Sequence, residues 1–159
     1  MTESEKYYIL GLFYADGSYR ETPRFRLTLA LHNKDIVLLK TVASLLNEKI
    51  LAKTSTCSYF TIYGKHKTSL WNSLGIVVRK TYQVDSKIFE NVPNIFKKDF
   101  IRGLFDGDGS ISGSTFCITG LNDALFEAIR QYIKTELKIN LNVRKETLKH
   151  NKGRSWICF

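Results

Sequence analysis

Asp16 and Asp108 lie 92 positions apart in two copies of one ten-residue run, Ile9-Leu10-Gly11-Leu12-Phe13-Tyr14-Ala15-Asp16-Gly17-Ser18 and Ile101-Arg102-Gly103-Leu104-Phe105-Asp106-Gly107-Asp108-Gly109-Ser110. Seven of the ten positions are identical. A single Asp-Gly step reads as a turn before glycine; the same step repeated in register, behind the same apolar run, selects a paired carboxylate site. Small residues fall four apart in each copy, Gly11 with Ala15 and Gly103 with Gly107, on one face of a helix. A glycine inside a helix costs ~1 kcal/mol relative to alanine, so close packing of one motif helix on the other is the natural compensation. Crossing side by side about a pseudo-two-fold axis, the helices would deliver Asp16 and Asp108 to the same end, where Gly17 and Gly109 break each helix. Anions at helix C-termini are disfavoured by the macrodipole, and a divalent cation relieves that repulsion. Oxygen-only ligation favours a hard ion, Mg²⁺ or Mn²⁺ in its place, able to polarise a scissile phosphate and generate a hydroxide nucleophile.

Positioning two such carboxylates requires the same elements twice. Period-two alternation follows each motif, Arg24 to Leu29 and Thr115 to Thr119, predicting half-buried strands. Helical stretches come next, Asp35 to Asn47 and Asn122 to Leu137, with Asp35 and Asn122 as N-caps. Two further strands are expected per half, near 51–57 and 59–63, then near 139–146 and 155–159. The pattern is helix, two strands, helix, two strands, in half-domains 1–92 and 93–159. The first half adds a helix from Thr68 to Leu74, with Trp71 and Leu74 toward the core, and a connector from Lys80 to Pro93; the second stops at Phe159 before a matching helix. The underside of its last strands is expected to be less covered. With Phe25, Leu27 and Leu29 facing inward, Arg24, Arg26 and Thr28 point to the opposite face. The same alternation puts Arg20, Lys53, Ser55, Tyr59, Thr61 and Tyr63, and then Ser112, Thr115, Asn140, Asn142 and Arg144, on that face. A closing hairpin sets Lys145, Lys149, Lys152 and Arg154 against one acid, Glu146.

The composition agrees with an ordered polyanion binder. The 159 residues are 43% hydrophobic and 25% charged, with a net charge of +9, which is the footprint of a nucleic-acid partner. The excess is spread evenly, 13 basic and 8 acidic side chains in residues 1–92 against 11 and 7 in 93–159. Three cysteines without a CxxC pair, and no charged-then-apolar leader, predict an intracellular protein with reduced thiols. No apolar run approaches the ~18 residues of a membrane span. His32, His66 and His150 lack the spacing of a zinc site.

These two motifs resemble the LAGLIDADG signature, and the chain is similar throughout to single-chain, two-motif LAGLIDADG homing endonucleases. The resemblance implies an α+β fold of two pseudo-symmetric αββαββ half-domains, a saddle of antiparallel strands along the DNA major groove, and the motif helices at the central interface. It implies site-specific, metal-dependent double-strand cleavage by a monomer on a long asymmetric duplex target, in intron- or intein-associated mobility. Asp16 and Asp108 fall on the family's metal-binding carboxylates, with Ala15 and Gly107 beside them at the metal. Lys65, after the strand ending at Tyr63, best matches a lysine that stabilises charge near the attacked phosphate; Lys67 is the alternative. The second acidic position of the signature holds Tyr14 in one copy and Asp106 in the other, and the two are expected to face each other. Where relatives carry a glutamine on the second strand this chain has Ala30 and Thr119. The resemblance also admits an RNA-splicing maturase on intron RNA, or a DNA-binding regulator without cleavage; retention of both aspartates argues against these.

Overall fold

The computed structural model describes residues 1–80, 85–146 and 154–158, with the backbone alone described at 52, 53, 142, 144–146 and 154–158. The first motif folds as helix α1 (Glu3–Asp16). Thr2 caps it: its hydroxyl accepts from the Glu5 N–H, and the Glu5 carboxylate accepts from the Thr2 N–H, while Glu3 and Glu5 place negative charge on the positive end of the dipole. Ile9, Leu10, Gly11, Leu12 and Phe13 are all buried, so the helix is apolar all round, as a helix enclosed by other elements must be.

From α1 the chain runs through β1 (Gly17–Arg20), β2 (Arg26–His32), α2 (Ile36–Leu45), β3 (Ile50–Lys53), β4 (Cys57–Tyr63) and α3 (Lys65–Ser73). A short helix α4 (Lys87–Glu90) leads to the second motif helix α5 (Lys97–Asp108), then β5 (Gly109–Ser112), β6 (Thr115–Gly120), α6 (Asp123–Leu137), β7 (Asn142–Glu146) and β8 (Arg154–Cys158). The strands make two antiparallel four-stranded sheets whose order repeats, β1-β2-β4-β3 and β5-β6-β8-β7. Gly17 stands opposite Leu29 in the first sheet and Gly109 opposite Ile118 in the second, which fixes the same register after each motif.

One apolar core joins these elements. Phe13 packs edge-on against Trp71 of α3 and Phe60 of β4; Leu39, Val42 and Ala43 of α2 and Leu125, Phe126, Ile129 and Ile133 of α6 cover the sheets. The connector contributes Phe89, which packs against Phe100 and Tyr132. In the first sheet Tyr19 and Leu27 form a buried cross-strand pair; their register equivalents Ile111 and Phe116 are exposed, by 63% and 44%. The underside of β5 and β6 is thus less covered than that of β1 and β2, whereas the last strands, β7 and β8, where less cover was expected, are described almost entirely by backbone alone.

Three local expectations are corrected. Asp35 makes no side-chain capping bond, because a 3-10 turn (Asn33–Asp35) precedes α2 and leaves it out of capping geometry; Asn122 does cap α6, accepting from the Leu125 N–H. Helix α3 begins three residues before Thr68, since Gly64 at φ 94 reverses the chain straight out of β4, and Gly75 at φ 109 closes it. Cys117 is disulfide-bonded, whereas Cys57 is a free thiol. Lys149 and Lys152 lie outside the described residues; Lys53, Asn142, Arg144 and Arg154 fall in β3, β7, β7 and β8, where the backbone alone is described. Among the described residues no helix is long and apolar enough to cross a membrane.

Candidate active site

The site begins with glycine. A Cβ on Gly11 would strike the Phe100 carbonyl oxygen and come within 2.8 Å of the Leu104 nitrogen; one on Gly103 would strike the Tyr8 carbonyl oxygen and reach 3.0 Å from the Leu12 nitrogen. The helices α1 and α5 therefore touch backbone to backbone, the packing that the small residues four apart demanded. One turn on, a Cβ on Gly107 would collide with the Ala15 methyl and lie 3.1 Å from Asp16 Oδ2. The Ala15 methyl occupies space that only glycine leaves at the end of α5, with the Asp16 carboxylate beside it. Both helices end at their aspartates because Gly17 and Gly109 turn at once into β1 and β5, each with its N–H donating to a carbonyl four residues back, where a Cβ would strike that oxygen.

Two carboxylates thus meet at two helix C-termini with no basic residue in either last turn. Each is open to solvent on one side, and the helix interface strips water from the other. Burial, reinforced by Asp16, pushes Asp108 up to about 6 against the opposing pull of Lys80. Asp16 is raised as well, by burial and by Asp35, again opposed by Lys80. Lys80 supplies the cation that the sequence had not placed. Its ammonium donates to the carbonyl oxygens of Phe13 at 2.9 Å, of Tyr14 and of Ala15, filling the negative end of the α1 dipole. Burial lowers Lys80 to about 8, although Asp108 and Asp16 favour its charged form.

The Tyr14 and Asp106 positions part company. Asp106 accepts from the Tyr8 hydroxyl at 2.7 Å, and the same tyrosine ring carries Arg102 over its face at 4.6 Å. Tyr14 instead packs on Phe100 at 6.2 Å, and its hydroxyl accepts from Asn122 at 2.9 Å. The expectation that Tyr14 and Asp106 face each other is therefore corrected: the crossing helices pair Tyr8 with Asp106 and Phe100 with Tyr14. A cavity of about 250 Å³ opens beside Asp108, walled by Tyr14, Lys80, Thr119, Gly120 and Asn122 among others.

Lys65 is not brought to the carboxylates. It follows Tyr63, which pairs with Arg26, itself opposite Arg20, whereas Asp16 adjoins Gly17 at the other end of β1, about 10 Å away along the strand. Its ammonium lies 5.6 Å above the Phe25 ring. Lys80 was missed because a connector reaching a helix end leaves no periodic trace. One sequence signal existed: two aspartates at C-termini lacking basic residues require a cation from elsewhere.

Away from the pair, the outward face of the first sheet carries Ser18, Arg20, Arg26, Thr28 and Ala30, with Tyr63, Thr61 and Tyr59 of β4 across from Arg26, Thr28 and Ala30. Arg20 and Arg26 stand directly opposite each other, a like-charge pair that is destabilising in the free protein and suited to an anion laid across it. Thr28 is half-buried and shares a 2.9 Å hydrogen bond with the buried Thr61, which ties it to the sheet. Arg24 and Tyr63 are exposed and border a cleft with Pro23, Phe25 and Gly64. On the second sheet Ser112 and Thr115 are exposed partners across β5 and β6. The donor set fits a hard divalent ion: two carboxylates at the ends of α1 and α5, with solvent on the open side, match the sparse protein ligation of Mg²⁺. No cluster of three or more His, Cys, Asp or Glu side chains suited to a metal exists among the described residues.

Residues 96–157 match the family model of the LAGLIDADG-like domain. Among solved structures, mesophilic variants of the homing endonuclease I-DmoI superpose with a TM-score of 0.69 at 16% identity, over 97% of this chain and 82% of that one. I-DmoI in complex with DNA and calcium gives 0.66 at 16% identity, over 98% and 82%. I-SmaMI bound to uncleaved DNA target with calcium ions gives 0.66 at 12% identity, over 100% and 79%. No curated protein matches the sequence. At these identities the structural likeness is one of fold.

Proposed function

We propose that this chain, which carries a LAGLIDADG-like domain over residues 96–157 in a fold shared with homing endonucleases, is a site-specific DNA endonuclease that hydrolyses both strands of a long asymmetric duplex with Mg²⁺, or Mn²⁺ in its place. The observation that carries this reading is the Asp16–Asp108 pair, held together by backbone contact between two motif helices and opposed by the recruited Lys80. One chain supplies both carboxylates, so the enzyme acts as a monomer. The basic face of the first sheet, with Arg20, Arg24 and Arg26, binds the duplex through phosphates and guanine edges, and Ser112 and Thr115 add hydroxyl contacts from the second. Mobility of an intron or intein is the biological setting such cutting serves.

A divalent ion would be held by Asp16 and Asp108, at the ends of α1 and α5 beside Ala15 and Gly107, and would supply a polarised phosphate oxygen and an activated water. The chain's own residues do the rest. Asp108 must shed its proton to bind the ion, which its raised pKa allows at neutral pH. Lys80 holds the end of α1 and offsets negative charge where the scissile phosphate adds more. Gly107 keeps the approach of Asp16 open.

A randomised duplex library incubated with the protein and Mg²⁺, followed by sequencing of the cut ends, is expected to return one long target. Asp16→Asn and Asp108→Asn are expected to bind that target and leave it whole. A wild-type protein that binds an enriched duplex tightly and leaves both strands intact in Mg²⁺ and Mn²⁺ refutes the nuclease reading and favours the non-cleaving regulator.

A further inference from the structure

We propose that Asn122 is a positioning residue for the carboxylate site, acting through Tyr14 and the connector rather than on the reacting atoms; this rests on the nuclease reading above. Register exposes its unusual use. Gly17 pairs with Leu29 and Gly109 with Ile118, so four residues on, Asn33 and Asn122 hold equivalent places after β2 and β6. Asn33 stays within its own sheet: its amide donates to the Thr54 carbonyl at 3.0 Å and its carbonyl oxygen accepts from Ser58 Oγ at 2.7 Å. Asn122, 5% exposed, reaches out of its half. Its amide donates to the Tyr14 hydroxyl at 2.9 Å and to the Asp85 carbonyl at 2.6 Å, while its Oδ1 accepts from the Leu125 N–H at 3.1 Å.

One side chain thereby ties the motif helix of the first half, the connector and the first turn of α6. Tyr14 is gripped at both ends, by Asn122 on the hydroxyl and by Lys80 on the backbone carbonyl. Lys80 and Asp85, five positions apart, are each tied down, Lys80 to the end of α1 and Asp85 to Asn122. Asn122, Tyr14, Lys80 and Asp108 wall one cavity, and Asp16 is not part of that wall. The amide is therefore bonded to α1 and the connector, and it borders Asp108, but not Asp16, across the cavity. A cap alone needs none of this, since serine caps a helix as well and could not reach both other partners.

The test compares wild type, Asn122→Ser and the register-matched Asn33→Ser, all folded by circular dichroism. Single-turnover cleavage is followed strand by strand at saturating target DNA. Separately, in the absence of DNA, reductive methylation of Lys80 is read by mass spectrometry against the exposed Lys65. Asn122→Ser is expected to cut at least about tenfold more slowly with KM little changed, to slow the two strands unequally so that nicked duplex accumulates, and to lose the protection of Lys80. Asn33→Ser is expected to stay within about twofold of wild type. Equal slowing of both strands with Lys80 still protected assigns Asn122 a merely structural role and overturns the proposal, as does an unchanged rate. If wild type cuts no DNA, the nuclease reading falls and the methylation result decides alone whether Asn122 holds Lys80. Should Asn122→Ser fail to fold, Tyr14→Phe removes one arm of the same grip; unaltered Lys80 methylation in that variant overturns the proposal.

Discussion

Asp108 carries its proton to about pH 6 in the folded chain, against an ordinary value of 3.8. A carboxyl whose pKa is raised by folding opposes folding when it is charged. That opposition is fully present above about pH 6 and disappears as the pH falls from 6 toward 4. Asp108→Asn is therefore expected to raise stability at pH 7 by about 1 kcal/mol, allowing for solvent screening of an exposed group, and to change it little at pH 4. Urea midpoints at the two pH values measure this, and a variant no more stable than wild type at pH 7 contradicts it. The same proton competes with metal. Mn²⁺ affinity, followed by calorimetry, is expected to fall about tenfold per pH unit below 6 and to level off above it; a flat profile from pH 5 to 8 contradicts the role of Asp108. The aspartates were legible in the sequence because repetition in register is a strong signal. Lys80 and the Tyr8–Asp106 bond were not, because each joins positions 65 or more residues apart through three-dimensional placement alone.

At the scale of elements, α1 and α5 meet through Gly11 and Gly103, and α-helical propensity and packing pull in opposite directions there. Alanine at Gly103 gains at most ~1 kcal/mol of helix propensity. It also forces a methyl into the Tyr8 carbonyl, backbone that cannot step aside without parting the helices. Gly103→Ala is expected to destabilise by roughly 3–5 kcal/mol, which thermal or urea unfolding checks; a neutral substitution would mean that the helices do not touch there. The hairpin of β5 and β6, with Ile111 and Phe116 exposed, is expected to exchange its amides faster than β1 and β2, whose Tyr19 and Leu27 are buried. Equal protection in hydrogen exchange would contradict that. Alternation found β2 and β6, through buried Leu27, Leu29 and Leu31 in one and through Ile118 alone in the other. It misplaced the start of α3, where Lys65, His66 and Lys67 form a first turn without an apolar stripe.

Across the whole molecule, the net charge of +9 is spread over both halves, but the described sheet faces differ. Arg20 and Arg26 confront each other on the first, while Ser112 and Thr115 stand opposite on the second. Arg20→Ala is expected to stabilise the free protein by a few tenths of a kcal/mol. It should also weaken DNA binding and make the logarithmic salt dependence shallower by about one. Filter binding across a salt series measures the second effect, and an unchanged slope would take Arg20 off the phosphate backbone. Composition pointed to a polyanion partner, and alternation to the outward face proposed to meet it; the opposition of the two arginines depended on a hairpin register that no local pattern encodes.

The glycine contact between the motif helices has a consequence for how such a protein can change. Side-chain packing is adjustable, and its spacings drift as residues are exchanged. The spacing here is set where main chain rests on main chain, so it behaves as a fixed ruler between the two carboxylates. If the chain cuts DNA as proposed, substitutions on the sheets would alter which duplex is gripped while the offset between the two cuts stays the same. Recognition is thereby free to diverge without retuning the chemistry.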